Sequence, residues 1–196
     1  MGSTNLSLSG QRFFETLKSG KASIVTDHIV KFSKTGIQLQ QQEKELPADI
    51  IVTATGLNLL FGGGIQFKVD KEVLNVPSKF VYKGFMLNNL PNLFVGGGYT
   101  NASWTLKVDL TNKYACRLIK HSQKIQARYF QPEVSLDDEM ESRQLLDLTS
   151  GYVQRSLNSF PRQSNFVPWC LSQNYLFDKY MFEYRSLQDS YMKFYH

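Results

Sequence analysis

The chain has 196 residues, 42% hydrophobic and 20% charged, with a formal net charge of +5. That is one ordinary domain's worth of chain with enough apolar residues for a core, which excludes a disordered or fibrous protein. No run of eighteen apolar residues occurs, Met1-Gly2-Ser3-Thr4-Asn5 lacks the features of a secretion signal, Lys and Arg are scattered from Arg12 to Lys193, and Cys116 and Cys170 form no CxxC pair. A membrane span, an exported disulfide scaffold, a zinc site and a nucleic-acid surface therefore have no support, and reduced thiols in a cytoplasmic protein fit best.

In chain order, residues 1–10 are a loose start and residues 11–18 predict a short helix stopped by Ser19-Gly20. Residues 22–26, 28–32 and 37–40 predict a small β-meander with its turn at Lys34-Thr35-Gly36. Residues 50–53, Ile-Ile-Val-Thr, are an unbroken apolar run of the kind buried on both faces of a parallel sheet. Residues 61–69, 80–87 and 92–95 predict further strands. From Trp104, apolar or small residues recur at Val108, Thr111, Ala115 and Leu118, which predicts a helix to about Lys124. The acid-rich stretch 133–141 reads as an exposed connection, and residues 145–157 are ambiguous. An aromatic-rich helix is expected over residues 172–195.

Two apolar strands end in small residues, one in Ala54-Thr55-Gly56 and one in Gly96-Gly97-Gly98. Glycine lets a ligand approach the backbone, and a helix starting after Ser103 turns its free N–H groups and positive dipole end toward the same crevice. A phosphate or the negative edge of a reduced flavin suits that arrangement. A pair of tight turns before a helix capped by Asn101 or Ser103 suits the spacing equally well. Neither glycine run, Gly62-Gly63-Gly64 nor Gly96-Gly97-Gly98, completes GxGxxG, because Phe67 and Asn101 stand where the last glycine belongs. GxxxxGK, HExxH and GxSxG are absent, and His28, His121 and His196 lie far apart in sequence.

Asp49-Ile50-Ile51-Val52-Thr53-Ala54-Thr55-Gly56, Tyr82-Lys83-Gly84, Leu90-Pro91-Asn92, Gly98-Tyr99-Thr100-Asn101-Ala102-Ser103-Trp104-Thr105-Leu106-Lys107, Pro168-Trp169 and Gln173-Asn174-Tyr175 occur in this order. The ordered set closely resembles the C-terminal part of class B flavoprotein monooxygenases of the Baeyer-Villiger group, from about Phe13 to about Tyr180. The resemblance implies an α/β fold: the last portion of a flavoprotein with two dinucleotide-binding domains, joined to a β-meander and a helical tail. It implies FAD and NADPH as cofactors, and a C4a-peroxyflavin that inserts one oxygen atom from O2 into a ketone or oxidises sulfur or nitrogen. Carried over by position, it implies cofactor contacts for Thr55, Gly56, Gly98, Thr100, Asn101, Ser103 and Trp104. Arg12 does not match the family's active-site arginine, so no catalytic residue is assigned.

The same resemblance divides the chain into a start at 1–10, the end of an NADPH-domain-like region at 11–48, the C-terminal part of an FAD-binding domain at 49–127, and a helical extension at 128–196. Both GxGxxG loops of the family lie upstream of the matched part. The expectation is a C-terminal fragment, inactive alone, with a small ketone or sulfide as substrate of the whole enzyme. The alternatives are one half of a split flavoenzyme that needs an N-terminal flavoprotein partner, and a non-enzymatic interaction module built on the aromatic tail.

Overall fold

A computed structural model describes residues 9–42, 45–135 and 139–196. The expected loose start falls mostly outside them, as does the middle of the acidic stretch. The chain divides into two compact units, Met1–Thr55 and Gly56–His196.

In the first unit, helix α1 (Ser9–Lys18) ends at Ser19-Gly20, and three antiparallel strands follow, β1 (Ile29–Phe32), β2 (Gly36–Leu39) and β3 (Leu46–Pro47), in the order β1-β2-β3. The β1–β2 turn is tied by the Ser33 hydroxyl, which accepts from the amides of Thr35 and Gly36 at 3.0 Å each and donates to Glu45 at 2.7 Å. Those hydroxyl bonds, with a further one from Thr35, hold the Glu45 carboxyl below its usual range. The expected strand at residues 22–26 is not formed. The run at residues 50–53 is not a strand either, and it is not buried: Ile50 is 83% and Val52 82% exposed. A central parallel strand needs a ladder on each side and a layer on each face, and no described segment pairs with this one.

The second unit holds two short hairpins, β4 (Lys68–Val69) with β5 (Glu72–Val73) and β6 (Val81–Tyr82) with β7 (Met86–Leu87), then the long helix α2 (Trp104–Lys124). After α2 come β8 (Tyr129–Pro132), β9 (Arg143–Gln144), α3 (Gly151–Ser156), β10 (Arg162–Gln163), α4 (Tyr175–Glu183) and β11 (Met192–Tyr195). The predicted strand at 80–87 is instead a hairpin. Lys83 and Gly84 take φ of 50° and 77°, which reverses the chain after only two paired residues. A side chain at Gly84 would also strike Leu171. Residues 92–95 join no sheet, and 93–95 are half-buried; the segment is held by the Asn92 amide to the Phe130 carbonyl at 3.0 Å and the Val95 amide to the Phe85 carbonyl at 2.7 Å.

Helix α2 matches its predicted span, and its buried face is Lys107, Leu110, Thr111, Tyr114, Ala115, Leu118 and Ser122. Of these, Leu110, Tyr114, Ala115 and Leu118 pack with Tyr82, Phe85, Met86, Phe130, Trp169, Phe182 and Met192 into the main core, where each large apolar side chain contributes about 1.5–3 kcal/mol. The expected helix over 172–195 is confined to α4. Asn174 caps it by accepting the Phe177 amide at 3.1 Å. Asp189 then accepts the amides of Tyr191 and Met192 at 3.0 and 2.9 Å, turning the chain into β11, which pairs antiparallel with β8. The end of the chain is therefore a strand, with Tyr195 stacked on Tyr129 at 4.6 Å. A local side-chain turn and a waiting partner strand outweigh the helical tendency of this segment.

Candidate functional site

A cleft of about 410 Å³ opens in the second unit between Gly62-Gly63 and Gly96-Gly97-Gly98; Ala54-Thr55-Gly56, the other small-residue strand end, does not line it. Leu59, Leu60, Phe85, Leu145, Leu146 and Leu171 supply apolar wall, Gly62, Gly63, Gly84, Gly96, Gly97 and Gly98 supply bare backbone, and Thr100 and Trp104 stand at the start of α2. No lining residue is ionisable. The volume lies within the range of small-molecule pockets, at a size for a ring system and not for a whole dinucleotide. Side chains built at Gly63 or Gly96 would meet nothing within 4 Å, and one at Gly97 would meet only the Gly84 carbonyl at 3.6 Å. The backbone there faces open space that a ligand can fill.

Gly98 is held to glycine for another reason. A Cβ at this position would lie 2.3 Å from Trp104 Cγ and 2.6 Å from Trp104 Cα, so the turn and the start of α2 can approach this closely only without a side chain. Trp104 remains 63% exposed beside that turn. Ser103 occupies the N-cap position but makes no side-chain cap; its hydroxyl pairs with that of Thr105 at 2.8 Å. The first-turn amides of α2 thus lack a side-chain cap, which leaves the positive end of the helix available to an anionic group.

Behind the turn lies a buried polar cluster. Lys107, 1% exposed, places its ammonium 3.0 Å from Asp178 Oδ2 and donates to the Ser172 carbonyl at 2.8 Å. The Tyr99 hydroxyl donates to the same Asp178 oxygen at 2.6 Å. Burial, reinforced by that carboxylate, pushes the Tyr99 hydroxyl pKa well above its usual value. Gln173 completes the support: its side chain accepts the Thr100 amide at 3.0 Å and its carbonyl accepts from Asn101 at 3.1 Å.

A second buried cluster lies in the main core. The Lys83 ammonium sits 3.1 Å from Asp189 and donates to Tyr114 at 2.7 Å, and the Tyr82 hydroxyl donates to Asp189. Burial pushes the Asp189 carboxyl up, but the Lys83 charge, the Tyr82 hydroxyl and the Met192 amide together hold it below its usual range.

Of the residues singled out from sequence, Gly98, Thr100 and Trp104 line the cleft. Asn101 and Ser103 lie on the same turn outside the lining, and Gly56, at φ 84°, packs against Tyr152 of α3. Thr55 closes the first unit. Sequence reasoning named Gly84, Lys107 and Gln173 only within the motifs that carry the resemblance, with no role in the site, and did not name Asp178. Lys107 carried a usable signal, since a lysine among Leu110, Thr111, Tyr114 and Leu118 on one helical face calls for a buried partner. Asp178 carried none, because its partners are 71 and 79 positions away. Among the described residues, no group of three His, Cys, Asp or Glu could hold a metal ion, and no helix is long and apolar enough to cross a membrane.

No family model matches the chain, and no solved structure matches it. Curated proteins do. The FAD-containing monooxygenase EthA of Mycolicibacterium smegmatis is 39% identical over 181 residues, 92% of this chain and 36% of that protein. EthA of Mycobacterium tuberculosis is 41% identical over 181 residues, 92% of this chain and 37% of that protein. A protein of Acinetobacter baylyi named "Probable FAD-binding monooxygenase AlmA" is 43% identical over 166 residues, 85% of this chain and 33% of that protein. The chain spans about a third of the length of the curated relatives it matches. It is homologous to the C-terminal third of FAD-containing monooxygenases.

Proposed function

We propose that this chain supplies the C-terminal share of an FAD- and NADPH-dependent monooxygenase of the Baeyer-Villiger type, and that its glycine-lined cleft is one wall of the flavin site. The observation that carries the reading is the meeting of bare glycine backbone, an uncapped helix start and apolar walls in a region homologous to FAD-containing monooxygenases. Bound FAD, reduced by NADPH, supplies the chemistry: activation of O2 for transfer of one oxygen atom to a ketone, a sulfide or an amine.

This chain's own residues bind and shelter. Gly96 and Gly97 allow a flat ring to approach the backbone, and the first turn of α2 favours negative charge on it. Trp104 and the leucines of the cleft exclude water, and Thr100 offers a polar contact at the mouth. In this reading Asn101 and Ser103 border the ring on the same turn, and Thr55 and Gly56 mark the crossing from the NADPH-binding to the FAD-binding part. A neutral lining favours an uncharged substrate such as a ketone or sulfide. A reducing, cytoplasmic setting goes with it, supported by two unpaired cysteines.

The pyrophosphate of each cofactor needs a GxGxxG loop, and this sequence has neither. Both pyrophosphate-binding loops are therefore assigned to a flavoprotein portion corresponding to the other two thirds of the relatives. The exposed Ile50 and Val52 support such a partner, because an apolar run of that length without cover is costly in water. The test is co-expression of this chain with the N-terminal two thirds of M. smegmatis EthA. The reading expects a complex that retains FAD and oxidises NADPH when a ketone or sulfide is supplied, with no activity from either part alone. Failure of the two to co-purify, or FAD held equally well without this chain, would overturn it.

A further inference from the structure

We infer that Asp178 is a positioning residue for the cleft, acting through Tyr99 and Lys107 to fix the turn of residues 98–103. For what that turn meets, the inference rests on the flavin reading; the geometry stands without it.

The turn carries one anchor at each end. Tyr99 follows Gly98 directly, and Lys107 lies in the first turn of α2, just past Ser103 and Trp104. Both reach the same oxygen, Asp178 Oδ2, at 2.6 and 3.0 Å. Asp178 is itself buried and belongs to α4, a different element from either anchor. The Lys107 ammonium also lies 4.9 Å over the Tyr99 ring, so each anchor touches the other as well as the carboxylate. A charge-assisted pair held in a buried site resists displacement far more than an exposed one. Lys107 further backs the cleft wall, since its ammonium is 3.5 Å from where a Gly84 side chain would begin. A shift of Asp178 thus carries Gly98, Trp104 and the Gly84 wall with it. Misplacement of such a wall by about 1 Å is enough to cost a ligand its fit.

The chain holds two tryptophans, Trp104 at the cleft and Trp169 in the core. Labelling with 5-fluorotryptophan gives one 19F resonance from each, assigned with Trp104→Phe. Asp178→Asn and Lys107→Met are expected to shift and broaden the Trp104 resonance and leave that of Trp169 in place. Lys83→Met breaks the other buried pair and serves as the control. Lys83 lies 4.8 Å over the Tyr82 ring, which meets Trp169 edge-on at 5.5 Å, so this variant is expected to move Trp169 and not Trp104. Tyr99→Phe keeps the ion pair and one full ring in place. If the two charge variants fail to fold, its smaller shift of Trp104 alone carries the test. Positioning is overturned if Trp104 is unmoved by Tyr99→Phe together with whichever charge variants fold, or if Lys83→Met moves it as much.

Flavin mononucleotide added to the wild-type chain and to Tyr99→Phe separates the two claims. Both hold if it shifts Trp104 with several-fold weaker affinity in the variant. If it shifts nothing while the variants still move Trp104, the flavin reading fails and the positioning stands. If it binds wild type and variant with equal affinity, the positioning fails and the flavin reading stands.

Discussion

The two units use apolar residues in opposite ways. In Gly56–His196, α2, α4 and the β8–β11 ribbon enclose Tyr114, Leu118, Phe130, Trp169 and Phe182; the buried Lys83 and Lys107 are paired with Asp189 and Asp178, while the Trp169 indole N–H is buried without a partner among the described residues. In Met1–Thr55, Leu39 is the one buried large apolar residue among those described, while Phe13, Phe14, Ile24, Ile29, Val30, Phe32, Ile50 and Val52 are exposed. Apolar runs occur in both, as at residues 50–52 and 93–95. In the second unit a second layer covers the core faces of α2 and α4; among the described residues, the three-stranded sheet of the first has none of its own. Burial is thus decided by whether a second layer is present, and hydrophobic patterning only nominates the face that needs one.

Substitutions sharpen this contrast, beginning with the largest effect. Lys107→Met leaves the buried Asp178 charge uncompensated and is expected to cost the second unit about 3–5 kcal/mol in urea unfolding followed by near-ultraviolet circular dichroism. Leu118→Ala empties part of a fully buried position and should cost about 2–5 kcal/mol in the same measurement. A loss well below 1 kcal/mol in either would mean that this core is looser than described.

Acid gives a smaller, pH-gated effect. Asp189 has a folded-state pKa lowered below the ordinary 3.8, so its contribution is fully present above that value and is lost as pH falls through the lower folded value. The urea midpoint of wild type should fall on acidification below that value. Asp189→Asn should start from a lower midpoint at neutral pH and lose that part of the fall. An unchanged slope would remove Asp189 from the account. The smallest effect belongs to the first unit: Val52→Ser, at an exposed position, should change stability by no more than about 0.5 kcal/mol. A loss comparable to that of Leu118→Ala would show that residues 50–53 are covered after all.

What could be read in advance follows the range of the forces involved. The span of α2 was legible because its periodicity repeats over 21 residues and its start follows a glycine-rich turn. Gly98, Thr100 and Trp104 were legible together at the start of α2, but the opposite side of the cleft was not, because the sequence reading set Gly96-Gly97-Gly98 beside Ala54-Thr55-Gly56, whereas Gly62 and Gly63 line the cleft and Gly56 packs against Tyr152. The β6–β7 hairpin was not, since Tyr82-Lys83-Gly84-Phe85 reads as strand until Lys83 is known to adopt positive φ. The strand β11 was hidden because its pairing partner, β8, is some sixty residues earlier. Asp178 was hidden for the same reason, being an acid in an aromatic helix whose meaning comes only from Tyr99 and Lys107. Residues 50–53 were misread because a buried strand is a property of a sheet, and the sheet is not encoded in the run itself.

The central claim, that the cleft between the glycine runs is a wall of a flavin site, is tested most directly by titrating the fluorotryptophan-labelled chain with flavin mononucleotide. The account predicts a saturable shift of the Trp104 resonance, no shift of Trp169, and loss of the response in Gly96→Leu, whose side chain enters the open cleft. A Trp104 resonance that stays fixed up to saturating flavin, or one that moves just as far in Gly96→Leu, would contradict it.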